Sequence, residues 1–211
     1  MGIRGPMPRT VPGRPAVALP EAVQNTAAAA PAAPYDARFD GIAHIWYPDA
    51  DALRGFMADP RSHAWLADGD HFIDRAASRN YLVREQIVLP VAREAGGLKR
   101  TSLLVRKPGM THDEFVAHWT TGHAQMARDI PGLVGCVFNR IETVMGANGA
   151  GGEIDGICET WWDSGAVDLG GLVASARASA WAADADAFID RERTRTIVSL
   201  DHVMIAPTRH S

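Results

Sequence analysis

Ser62 to Arg79 runs SHAWLADGDHFIDRAASR, and Ala178 to Arg195 runs ASAWAADADAFIDRERTR. The two stretches share an Ala-Trp pair, two aspartates, a Phe-Ile-Asp-Arg block and a closing arginine at one spacing, too many matches for chance. Self-similarity of this kind marks a chain built from repeated supersecondary units. The likeness extends in both directions. Upstream, DGIAHIWY (Asp40 to Tyr47) answers DGICETWW (Asp155 to Trp162). Downstream, each copy ends in an apolar run closed by proline, LVREQIVLP (Leu82 to Pro90) and VSLDHVMIAP (Val198 to Pro207).

Each copy therefore predicts a strand, a helix and a strand. Ile157, Glu159 and Trp161 alternate with Cys158, Thr160 and Trp162, the period of a pleated strand. The Ala-rich segment that follows is long enough for a helix, and Pro60 marks a helix start or break in the first copy. The second copy has more ahead of it. KRTSLLVRK (Lys99 to Lys107) predicts a strand that ends at the turn Pro108-Gly109. Thr111-His112-Asp113-Glu114 has the form of a capping box, worth about 1 kcal/mol, and Pro131-Gly132 ends the helix it opens. LVGCVFNRIETVMG (residues 133–146) is strand-like, and the Gly-rich stretch at 146–152 is a flexible hairpin connection without the Lys-Ser/Thr ending of a phosphate loop. The order β-α-β-β-α-β is the ferredoxin-like plan.

The run LLVRKPGMTHDEFVAHWTTGHAQMARDIPGLVGCVFN resembles the start of an EthD domain, through Lys107, Pro108, Gly109, Phe115, Trp119, His123, Pro131, Gly132 and Asn139. Glu159 and Trp161 fit the same pattern further on. The resemblance implies an α+β fold of the dimeric α+β barrel superfamily, with two tandem ferredoxin-like units making both halves of the barrel. Residues 1–95 form an incomplete N-terminal unit and residues 96–211 a complete one. MPRTVPG (Met7 to Gly13) aligns with MARDIPG (Met126 to Gly132), and Val23-Gln24-Asn25 with Val137-Phe138-Asn139, so the first unit lacks its first strand and most of its first helix. That strand is central in a ferredoxin-like sheet, and its loss leaves backbone groups unpaired. The expectation is a truncation from a start codon assigned too late. The alternative is a degenerate repeat whose gap is filled by another segment or a partner subunit. Such a chain should expose a sheet edge or apolar patch and tend to form a homodimer or aggregate.

Composition narrows the function. The 211 residues carry a net charge of -4, which argues against a nucleic-acid partner. No stretch has the roughly 18–20 apolar residues of a membrane span, and the Pro/Ala-rich residues 1–34 lack the apolar core of a secretory signal, so a cytoplasmic location is expected. Cys136 and Cys158 are too few for a disulfide framework and are expected to be reduced, buried thiols.

His123 is the first candidate for chemistry, because a neutral imidazole can exchange protons near pH 7. Glu159 lies beside Trp161 on one strand face, where partial desolvation would raise its pKa, and the matching position in the first copy is His44, beside Trp46. Asp201-His202 sits where the first copy has Glu85-Gln86, which makes His202 a third candidate. Each has a structural alternative: a packed or capping histidine, a solvated strand face, an ion pair. Trp119, Trp161, Asn139, His44 and Trp46 are the expected substrate-binding residues. His118 and His123, five apart, should point about 140° from each other on an ideal helix, too far to share one metal. His63 and His71 are expected at the surface. No metal and no cofactor is expected. By resemblance, the reading is a cofactor-independent lyase, cyclase or dehydratase, or else a cofactor-free oxygenase, that acts on a small aromatic or polyketide-like molecule. His123 would be the base and Glu159 or His202 its partner. The alternatives are a non-catalytic ligand-binding or accessory protein, and a haem-binding or haem-degrading barrel with His123 as axial ligand.

Overall fold

Among the described residues, alternating apolar and polar residues produce seven strands, all paired antiparallel. The computed structural model describes residues 21–27, 40–91, 98–145, 154–163 and 175–205. The aligned segment Met7–Gly13 and the Gly-rich 146–152 connection lie outside the described residues. The strands are β1 (Glu21–Ala27), β2 (Gly41–Trp46), β3 (Asn80–Leu89), β4 (Leu98–Leu104), β5 (Leu133–Met145), β6 (Gly156–Trp162) and β7 (Arg195–Ile205). Their order in the sheet is β2-β1-β7-β4-β6-β5-β3.

This order carries the repeat into three dimensions. The second unit supplies β4, β5, β6 and β7, and the first supplies β1, β2 and β3. β5 pairs with β3 through Asn139 opposite Glu85, and β1 pairs with β7 through Asn25 opposite Asp201. Each unit thus joins the other by the same registered pair, and the predicted alignment of Asn25 with Asn139 is the one the pairing uses. The two units share one continuous sheet.

Strands lie about 4.8 Å apart, so a flat sheet would put β2 roughly 19 Å from β6 and roughly 29 Å from β3. Yet His44 on β2 reaches Glu159 on β6, with Nε2 to Oε1 at 3.2 Å. Trp46 on β2 donates from Nε1 to Glu85 Oε1 on β3 at 3.2 Å. The sheet therefore curls until its two edge strands are bridged by side chains. The result is a barrel with an inner face and an outer, helix-covered face.

The helices form where caps allow. Asp49 caps α1 (Ala50–Ala58), and Asp59 caps α2 (Pro60–Asp68), with Pro60 in the first turn. Thr111 and Glu114 make the predicted capping box at the start of α3 (His112–His118), after a turn in which Gly109 takes φ 85. A π-helical turn, Trp119–His123, follows, then α4 (Ala124–Ala127). α5 (Ala176–Phe188) begins at Ser175, whose side chain accepts from Ala178 N. Phe115, Trp119, Phe138, Trp181 and Phe188 form the outer-face core with Cys136 and Cys158, both free thiols. Each aromatic ring removes about 150–250 Å² from water, roughly 4–6 kcal/mol before entropy is counted. A hydrogen bond with the neighbouring Cys158, together with burial, pushes the Cys136 thiol well above its ordinary value.

The π turn corrects one expectation. Its wider coil brings His118 and His123 to the same side, and both rings approach Asp184 Oδ2, at 3.2 and 2.7 Å. An ideal helix would have set them apart.

Candidate functional site

Residues opposite each other in an antiparallel pair share a face. Lys99 stands opposite Trp161 and Ser199, Thr101 opposite Glu159, Val137 opposite Glu159, and Asn139 opposite Glu85. With Asp201, His44 and Trp46 these residues project into the barrel. Their neighbours Cys158, Trp162 and Phe138 project outward under the helices.

Glu159 is the centre of the inner face and is 1% exposed. Its Oε1 receives Lys99 Nζ at 2.6 Å and His44 Nε2 at 3.2 Å, and Asn139 Nδ2 donates to Oε2 at 2.9 Å. Burial alone would raise this carboxyl. The charge of His44, when that ring is protonated, and the charge of Lys99, with hydrogen bonds from Lys99 and Asn139, outweigh burial and hold it below the usual carboxylate range. The desolvation expected to raise Glu159 is present, but a buried cation reverses its outcome. Lys99 is itself 1% exposed, sits 3.5 Å from Asp201 Oδ1, and lies over the Trp161 ring at 4.7 Å. Trp161 Nε1 donates to Asp201 Oδ2 at 2.7 Å. His44 stacks on Trp46, centroids 5.5 Å apart. The hydroxyls of Thr101 and Ser199 are buried with no partner among the described residues. An open cavity of about 300 Å³, lined by Ile87, Pro90, Val91 and Val137, borders this cluster through Val137.

The arrangement joins an ionised carboxylate, a buried ammonium, an imidazole fixed by the carboxylate, two indoles and two orphan hydroxyls. It can orient a small polar molecule against an aromatic wall, move a proton at His44 and stabilise negative charge with Lys99.

His123 is on the other face. Its Nδ1 meets Asp184 Oδ2, its ring stacks on Trp181 (4.7 Å) and Phe138 (6.2 Å), and Phe188 meets it edge-on (4.9 Å). Burial outweighs the pull of Asp184 and brings His123 down to about 4, so the imidazole is neutral at pH 7. Asp184 is held low by hydrogen bonds from His123 and His118, despite partial burial. The sheet separates His123 from Glu159, because Phe138 and Asn139 are consecutive on β5 and face opposite ways. His202 is exposed on the outer face, since Asp201 takes the inward position. Trp119 lies in the outer-face core against Gly156, where an added Cβ would come within 2.4 Å of the indole. His63 and His71 are exposed.

Of the residues predicted from sequence, the fold thus brings together Glu159, Asn139, Trp161, His44 and Trp46. It leaves His123, His202 and Trp119 elsewhere. Lys99, Asp201, Glu85, Thr101 and Ser199 join the site unannounced. Strand alternation put Lys99 and Thr101 on one face, but only the pairing register says which face of β6 they meet. Among the described residues no group of three or more His, Cys, Asp or Glu side chains could hold a metal, and no helix is long and apolar enough to cross a membrane.

A curled antiparallel sheet from one β-α-β-β-α-β unit and an incomplete copy of it, with helices outside and a polar cluster inside, defines an α+β barrel protein. The EthD domain model matches residues 7–76 and 107–192, and the chain belongs to that family. An anthrone oxidase-like protein shares the fold, with 12% identity and a TM-score of 0.57; 92% of this chain covers 82% of that one. A protein from Lactobacillus acidophilus NCFM, provisionally named a monooxygenase, is similar over 86% of this chain and 77% of its own, with 7% identity and a TM-score of 0.53. No curated protein matches the chain.

Proposed function

We propose that the barrel interior processes a small, planar organic molecule by proton transfer next to a carbonyl, a reaction of the lyase or cyclase type. The observation that carries this reading is the buried Lys99–Glu159–His44 chain, in which one carboxylate oxygen holds both a cation and an imidazole. His44 is the base. It is the most accessible of the three, with 14% of its side chain exposed against 2% for Glu159 and Lys99. Glu159 fixes the ring and stabilises the imidazolium that forms, the division of labour of an acid–base dyad. The proton leaves the carbon for His44, and its bonding pair moves into the carbonyl, whose oxygen becomes the enolate anion. Lys99 is the charge that stabilises this oxygen. The enolate then expels a β-leaving group in a lyase, or attacks a second carbonyl of the same molecule in a cyclase. Trp46 and Trp161 flank the substrate plane. The names carried by the two structural neighbours agree with a small-molecule substrate, and the fold alone would not choose the reaction.

This reading moves the base from His123 to His44, because His123 lies in the outer-face core with its faces covered by Trp181 and Phe138 and Phe188 at its edge. An axial haem ligand at His123 would need the same space. The test is exchange of the acidic C–H protons of anthrone in D₂O, followed by NMR with the wild-type chain and with His44→Gln, Glu159→Gln and His123→Gln. The expected result is acceleration by the wild type and by His123→Gln, with loss of roughly 10²-fold or more in His44→Gln. Binding without exchange in the wild type would favour the non-catalytic ligand-binding reading. Equal exchange by His44→Gln would remove His44 as the base.

A further inference from the structure

We propose that Thr101 is a positioning residue of the barrel site: its hydroxyl takes over Glu159 Oε1 when the Lys99 ammonium leaves that oxygen for the carbonyl of a bound substrate. The proposal rests on the reaction given above and adds a residue that the reaction does not yet use.

Thr101 is 0% exposed and Ser199 1%, and neither hydroxyl has a partner among the described residues. Both strands beside Thr101 are described, with Glu159 of β6 opposite it on one side and Ile197 of β7 on the other. A hydroxyl buried without a hydrogen bond is destabilising, and valine would fill nearly the same space without that loss. The threonine is therefore a strain on the resting protein that a second arrangement has to offset.

That arrangement lies within reach. Residues opposite each other in an antiparallel pair have Cβ atoms about 4.5–5.5 Å apart, and a threonine hydroxyl turns about one bond. Glu159 Oε1 already meets a side chain of β4, Lys99 at 2.6 Å, two residues from Thr101 on the same face. Oε2 is held from β5 by Asn139 at 2.9 Å, so Oε1 is the oxygen that loses a partner when Lys99 turns away. Lys99 has further contacts to turn on. Asp201 Oδ1 stands 3.5 Å from its Nζ, and the Trp161 ring lies 4.7 Å below. An ammonium that moves from Glu159 toward an enolate oxygen beside Trp161 keeps both.

At that moment His44, 3.2 Å from Oε1, becomes a cation. Thr101 Oγ1–H then donates to Oε1 in place of the Lys99 Nζ–H, and no covalent bond or proton changes owner in the swap. A neutral donor keeps the buried carboxylate hydrogen-bonded and leaves its full charge to the imidazolium. Ser199 stands opposite Lys99 and not opposite a carboxylate, which makes it the control.

The first arm of the test needs no substrate. Thr101→Val should melt no lower than the wild type, because the hydroxyl it removes has no resting partner. In Lys99→Met, where Oε1 has already lost its ammonium, the same change should lower the melting temperature at pH 8 by about 3 °C or more. Ser199→Ala should show no such dependence on residue 99. The second arm is anthrone exchange in D₂O. Thr101→Val should lose about tenfold in kcat with KM nearly unchanged, and Thr101→Ser should recover most of the loss. A Thr101→Val variant that melts clearly below the wild type would overturn the proposal. An equal effect in the wild type and in Lys99→Met would do the same, as would unchanged exchange beside an active wild type. If the wild type shows no exchange, the reaction falls, and the melting cycle decides on the hydroxyl by itself. If Lys99→Met does not fold, the melting temperature and exchange rate of Thr101→Val decide.

Discussion

Replacing Lys99 with methionine removes a buried ammonium from the barrel and leaves Glu159 enclosed with His44 and Asn139. Lys99 Nζ stands 2.6 Å from Glu159 Oε1, and both side chains are 2% exposed, so solvent cannot replace the lost partner. Breaking such a pair from one side costs about 3–5 kcal/mol, because a charge is left buried. At roughly 2–4 °C per kcal/mol for a chain of this size, Lys99→Met should melt about 10 °C lower. Lys99→Met/Glu159→Gln removes the stranded charge and should recover at least half of that loss, about 2 kcal/mol. The pH dependence has a definite sign. In the wild type, Glu159 is held low, so its contribution is present above the unfolded carboxyl value of 4.5 and is lost as pH falls through the lower folded value. Without Lys99, burial moves the carboxyl upward, and the folded variant takes up a proton more readily than the unfolded chain. The gap between variant and wild type should therefore narrow as the solution is acidified. Thermal and urea melts from pH 8 to pH 5 measure both effects. A Lys99→Met variant within 1 kcal/mol of wild type, or a double variant whose cost equals the sum of the singles, would refute the reasoning.

Other outcomes follow from the outer face. His123 is neutral in the folded state with a value near 4, against 6.5 unfolded, so stability should fall as pH drops from about 6.5 to 4. The loss is about 3 kcal/mol, and His123→Gln should flatten that slope in acid melts. Gly156→Ala puts a Cβ 2.4 Å from the Trp119 indole and should cost roughly 1–3 kcal/mol, measured by urea unfolding. Thr111→Ala removes the acceptor for Glu114 N and should cost about 1 kcal/mol, with Thr111→Ser restoring most of it.

The repeat made most of the fold legible. Strand alternation, the capping box and the proline–glycine stops each act within a few residues, and the structure realises them where the sequence places them. The site was legible only in part. Alternation grouped Glu159 with Trp161, and the repeat added His44 and Trp46, but facing is set by register between strands far apart in sequence. Lys99 gained its role from pairing with β6 and β7, which nothing local to KRTSLL specifies. His202 lost the inward place to Asp201 by one residue, the step that flips a side chain across a sheet. His118 and His123 converge only because a π turn widens the helix, and no simple residue signal announces that turn.

The central claim is that a small molecule is handled inside the barrel, at His44, Glu159 and Lys99, and not at His123. The most direct measurement is NMR of the chain with its histidine rings labelled with ¹⁵N, titrated with a planar aromatic ketone. His44→Gln and His123→Gln assign the two signals. The account predicts that the His44 ring resonances shift with saturating ketone while those of His123 stay in place. A shift at His123 with His44 unmoved would contradict it.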